Sequence, residues 1–92
     1  MIETFGDKKT EALFRDKRVL EFQSCARSAK RKLDMLHAAA KLDDLKVPPS
    51  NRLEKLEGNL KGFHSIRLDD RWRLVFCWDE GNAHDVRVTD YH

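Results

Sequence analysis

Arg67, Arg71 and Arg73, together with a closing Asp90-Tyr91-His92, are the residues of this chain best suited to chemistry. A guanidinium is a permanent planar cation with several donors, which suits the spread negative charge of a phosphate. An imidazole with an ordinary pKa of about 6.5 can give or take a proton near neutrality. A phenol can stack on a base or lend its hydroxyl to a phosphate, and an aspartate can orient either neighbour. Cations for phosphate beside titratable groups are what RNA cleavage needs when the 2′-hydroxyl attacks the adjacent phosphate without a metal. No cluster with metal-ligand spacing competes with that reading. His37, His64 and His84 stand apart, and Cys25 and Cys77 are solitary.

These residues need elements to position them. Arg71 to Trp78 alternates strictly, so Trp72, Leu74, Phe76 and Trp78 point to one face of a strand and Arg71, Arg73, Val75 and Cys77 to the other. The face with two tryptophans and a phenylalanine must be the core wall. By the same parity His64, Ile66, Leu68, Val86 and Val88 point inward, and Phe63, Ser65, Arg67, Arg87, Thr89 and Tyr91 outward. The opposite face is therefore expected to be open and to carry Arg67, Arg73, Arg87 and Tyr91. From parity alone it is a solvated sheet face, a nucleic-acid surface or a catalytic one.

The rest of the chain supplies the layer that packs on that wall. Ile2 to Phe5 reads as a short strand, and Asp7 can cap a helix over Lys8 to Arg15 with Ala12, Leu13 and Phe14 turned inward. Phe22, Ala26, Ala29, Leu33, Leu36 and Ala40 form one apolar stripe at helical spacing, with Ser24 as its expected cap. Asp43 to Leu45 adds a turn before Val47-Pro48-Pro49-Ser50-Asn51 breaks it. Strands follow: one bracketed by Leu53 and Leu56, then Phe63–Leu68, Arg71–Trp78 and His84–Thr89, joined by turns. The expected fold is α+β, two N-terminal helices packed on one face of a small, mainly antiparallel sheet.

Composition bounds the function. Ninety-two residues make a single domain over 1–92, with 40% apolar residues for the core and 37% charged residues to solvate the surface. The net charge of +2 does not announce a nucleic-acid binder. Residues 1–46 hold eleven Lys/Arg against eight Asp/Glu, and residues 47–92 seven against eight. Two lone thiols, no apolar leader and a longest apolar run of only five residues, Leu74 to Trp78, predict a cytoplasmic protein without a membrane span.

Leu56-Glu57-Gly58-Asn59, Ser65-Ile66-Arg67, Trp72-Arg73-Leu74-Val75-Phe76 and the terminal Asp90-Tyr91-His92 resemble the HigB toxins of the RelE/ParE toxin–antitoxin superfamily. The opening Met1-Ile2 to Phe5 and the length fit as well, so the resemblance spans essentially the whole chain. It implies a ribosome-dependent endoribonuclease that enters the A site and cuts translated mRNA without metal or cofactor. It implies neutralisation by a HigA-type helix-turn-helix antitoxin, with operator DNA met only through that antitoxin. Carried to this chain, it makes Arg73 the phosphate cation, Arg67 the second cation and His92 the acid or base. Tyr91 and Asp90 support them.

Some HigB members place a histidine where Glu54 stands and a lysine where Glu57 stands. Glu54 is then a candidate base, whereas Glu57 would repel a phosphate. Lys55 and Lys61 could restore positive charge, and Arg71 and Arg87 complete the expected RNA-binding set on the strands. Arg27, Lys30 and Arg31, with Lys32 beside them, form a basic helix face that either contacts ribosomal RNA or is simply solvated. Two other readings stand beside the nuclease: a ParE-like gyrase inhibitor, and a non-catalytic module that only binds a partner.

Overall fold

The computed structural model describes residues 1–90, so the assignments to Tyr91 and His92 lie outside it. The first element is set by its cap. Asp7 is extended (φ −153°, ψ 160°) and accepts a hydrogen bond from the Thr10 N–H at 2.6 Å, opening α1 over Lys8–Phe14. Leu13 and Thr10 are its buried residues, with Ala12 and Phe14 only half-buried. The long apolar stripe is divided. Leu20–Phe22 forms a separate 3-10 turn, and the regular helix α2 runs over Ala26–Ala38. Cys25, not Ser24, stands at its N-cap and makes no side-chain cap bond. Phe22 still enters the core, from the turn, while Ala39 rather than Ala40 is buried at the far end.

Two more 3-10 turns, Leu42–Lys46 and Pro49–Asn51, lead from α2 to the sheet. The sheet is four-stranded and antiparallel in the order β1-β2-β3-β4, with β1 at Glu54–Lys55, β2 at Phe63–Arg67, β3 at Trp72–Asp79 and β4 at Asn82–Asp90. The chain start does not form a full strand. Ile2 and Phe5 make parallel bridges to Ala83 and Val86 and thereby cover the β4 edge.

The core lies between the helices and one sheet face, where Ile66, Trp72, Leu74, Phe76, Val86 and Val88 meet Leu13, Phe22, Ala29, Leu33 and Leu36. Phe22 and Trp72 meet edge to face with centroids 5.6 Å apart. An irregularity between Val75 and Cys77 sets the register of β4: Val75 pairs with Arg87 but Cys77 with His84. Asp85 takes φ 52° there, and the extra residue lets both Ala83 and Val86 face the core although they are three apart. No helix is long and apolar enough to cross a membrane among the described residues.

Candidate active site

Cross-strand register gathers four of the expected site residues, Glu54, Arg67, Arg73 and Arg87, on the sheet face opposite the helices. Arg67 pairs with Arg73, which pairs with Thr89; Ser65 pairs with Glu54 on one side and Val75 on the other, and Val75 pairs with Arg87. Directly paired residues share a face, so Glu54, Ser65, Arg67, Arg73 and Arg87 stand together.

This face is not open as parity suggested. Arg73 is only 7% exposed, and Ser65 and Val75 are buried with it. The reason is tertiary: the turn at Pro49–Asn51 packs against β2 and delivers the following residues over Arg73. Arg73 Nε donates to Ser65 Oγ at 2.9 Å, and Nη2 donates to the Arg52 carbonyl at 2.9 Å. The Glu54 carboxylate lies 3.9 Å from the same Nη2. A guanidinium held this way, away from bulk water, is aimed before any anion arrives and acts more strongly than an exposed one.

The other predicted strand arginines fall in three places. Arg67 sits beside Arg73 and is ion-paired with Asp70. Arg87 is exposed, its stem lying over Gly6. Arg71, expected on the Arg73 face, leaves it: it grips Asp90, which pairs with the inward Trp72, with Nε at 2.9 Å and Nη2 at 2.7 Å from the same carboxylate oxygen, and lies over the Trp72 ring. Hydrogen bonding by Asp90, and then its charge, raises the Arg71 pKa further. Arg71, Thr89 and Asp90 line a depression of about 500 Å³ with Glu21 and Ser24 at the end of β4.

Lys55 does not share the Arg73 face. It pairs with His64, which stacks on core Phe76, so Lys55 lies exposed on the helix side of the sheet edge. Burial, and secondarily the Lys55 charge, lower the His64 pKa. Lys61 is exposed in the loop before β2.

The α2 cations divide. Arg27 and Arg31 are exposed, whereas Lys30 donates to the Phe14 carbonyl at 2.6 Å and pairs with Asp34 and Asp16. Lys30 is thus a tie between the helices. Lys32, expected on the basic face that either contacts ribosomal RNA or is solvated, is buried instead and donates to Asn51. Among the described residues no group of three or more His, Cys, Asp or Glu could hold a metal ion.

Two partners of Arg73 carry little signal in the sequence. Parity puts Ser65 on the right face, and pairing Phe63–Leu68 with Arg71–Trp78 across their turn brings it beside Val75. The Arg52 carbonyl left no signal, because a backbone atom in a turn has no side-chain signature.

The family described as the RelE-like toxin of the type II toxin–antitoxin system HigB matches residues 3–92. The chain belongs to the HigB-like toxin family. It is 47% identical over 81 residues to Toxin HigB-1 of Vibrio cholerae serotype O1, covering 86% of this chain and 85% of that one. A Haemophilus influenzae protein of unassigned function is 36% identical over 61 residues, 66% of this chain and 60% of its own.

Among solved structures, this HigB-like toxin resembles the YoeB–YefM complex from Staphylococcus aureus with a TM-score of 0.62 at 20% identity, covering 100% of this chain and 98% of that chain. YafQ from Escherichia coli strain BL21(DE3) superposes with a TM-score of 0.63 at 14% identity, covering 98% of this chain and 93% of that one. Identities this low bear on the fold, which is that of the RelE-like toxins. The chain is a type II toxin.

Proposed function

We propose that this toxin is a ribosome-dependent endoribonuclease that cuts mRNA under translation and so arrests growth. The observation that carries the reading is the immobilised Arg73 guanidinium, held by Ser65 and the Arg52 carbonyl, with Arg67 and Glu54 on the same face. In the reaction the substrate's 2′-oxygen bonds to the adjacent phosphorus as its proton leaves to a base. The P–O5′ bond then breaks and the 5′-oxygen takes a proton from an acid. Arg73 and Arg67 stabilise the extra charge on the phosphorane. Glu54 takes the first proton and His92 gives the second; Tyr91 stacks on a base and Asp90 orients the tail through its contact with Arg71. The scheme uses no metal.

Arg71, Arg87 and Lys61 guide the message, while Lys55, on the other side of the sheet edge, takes no part at the Arg73 face. Arg27 and Arg31 meet ribosomal RNA, with Lys30 contributing through the helix pair it ties together. The partner is a HigA-type antitoxin, and the site of action is the cytoplasmic ribosome's A site.

Primer extension on a defined message, with and without ribosomes, tests the reading. Sequence-placed cuts only when ribosomes are present, slowed by about 10²-fold or more in Arg73→Ala, are expected. Translation arrest with an intact message would replace the nuclease by a binding module.

A further inference from the structure

Arg73 takes two neighbours from one short stretch of chain, the Arg52 carbonyl and the Glu54 carboxylate. That stretch is held from behind by Asn51, which is fully buried. The Asn51 amide donates to the Leu45 carbonyl at 3.0 Å and the Val47 carbonyl at 3.4 Å, and sits 3.4 Å from the Met35 sulfur. Its Oδ1 accepts a hydrogen bond from Lys32 Nζ, on α2. Lys32 is 7% exposed, a cation carried into the interior where burial, and then Arg31, lower its pKa.

An ammonium placed there is poorly explained by stability, since a well-packed apolar residue serves as well or better. The residue after Asn51 is held in a costly conformation too. Arg52 is left-handed at φ 46°, ψ 57°, which a residue with a side chain keeps only where its surroundings impose it.

We propose that Lys32 and Asn51 are positioning residues through which α2 fixes the 51–54 turn so that the Arg52 carbonyl orients the Arg73 guanidinium for phosphate. The inference rests on the nuclease reading, because it presumes that Arg73 meets the scissile phosphate. It adds a link between the helical layer and the opposite sheet face that runs around the sheet edge rather than through the core. Arg52 contributes a backbone atom, its carbonyl oxygen, to the device.

The test uses Lys32→Met with Asn51→Leu, which replaces the polar pair by apolar groups of similar size and removes the tether without stranding a buried charge. Lys32→Met alone serves should the double variant fail to fold, which a thermal melt shows. The first readout is the Nε–H nuclear magnetic resonance signal of Arg73 in the free toxin. It is expected to shift or broaden in the double variant and to stay put in Lys8→Gln, an exposed position on α1.

The second readout is single-turnover cleavage of a ribosome-bound message. A loss of about tenfold or more in rate constant is expected at unchanged ribosome affinity. In an Arg73→Ala background the double substitution should then cost nothing further, because residues acting through one group are not additive. An unmoved Arg73 signal overturns the proposal, and so does an equal loss of rate in both backgrounds, which marks a purely structural role. If the signal moves but Arg73→Ala cleaves at full rate, the nuclease assignment of Arg73 falls, and with it the role given to Lys32 and Asn51 in catalysis.

Discussion

The Arg73 guanidinium meets a hydroxyl from β2, a carbonyl from the turn after α2 and a carboxylate from β1. Three elements therefore agree on one orientation. Arg73→Lys keeps the charge but loses the planar fork, and its cleavage rate should fall by about 10²–10³ while ribosome affinity is retained. Equal rates for lysine and arginine, measured by primer extension over time, would reduce the site to a point charge.

His64 carries a different expectation. Burial first, then Lys55, holds its pKa below the ordinary 6.5, so in acid the unfolded chain binds a proton that the folded one refuses. Stability from this group is complete above about pH 6.5 and declines as the pH falls below it. The urea midpoint should drop on moving from neutrality towards pH 5, and His64→Gln should drop less. Parallel pH profiles for the two proteins would contradict the assignment.

At the scale of elements, α1 is fastened to the sheet by a side chain. The Val88 N–H on β4 donates to Thr10 Oγ1 at 2.9 Å in a buried setting, and the Asp7 cap holds that turn in place. Thr10→Val keeps the shape but strands the Val88 donor, at a cost of about 1–3 kcal/mol in a denaturant titration. The segment before α1 works on the other face. A Cβ at Gly6 would lie 2.2 Å from Arg87 Nε and 2.6 Å from its Cγ, so Gly6→Ala must push the Arg87 side chain aside. If Arg87 guides the message, Gly6→Ala and Arg87→Ala should weaken RNA binding to a similar degree in a filter or fluorescence assay.

Over the whole molecule, the core and the Arg73 face are separable. Trp72 and Phe76 are buried in the helix-facing cluster, and truncating either to alanine should cost about 3–5 kcal/mol, abolishing toxicity and antitoxin binding together. Arg73 variants should lose toxicity yet still bind antitoxin. The outer face of α2 carries exposed Arg27 and Arg31 on the far layer from Arg73. Their replacement by glutamine should flatten the salt dependence of ribosome binding and leave the chemical step unchanged.

The order of helices and strands, the inward wall of Trp72, Leu74 and Phe76, and the common side of Arg67, Arg73 and Arg87 were all determined by the sequence. Period and parity are local properties, and turning two tryptophans and a phenylalanine inward leaves one register, with Trp72 and Phe76 buried and Trp78 partly so. Tertiary structure alone decided the rest. Whether a sheet face is open depends on what crosses it, and the chain after α2 crosses this one to enclose Arg73. Where a helical stripe is interrupted depends on backbone geometry that apolar spacing does not encode, so Phe22 packs from a turn ahead of α2. Lys32 and Asn51 meet across 19 positions of sequence, and a hydrogen bond between polar residues that far apart leaves no periodic trace; only the folded chain brings its two ends together.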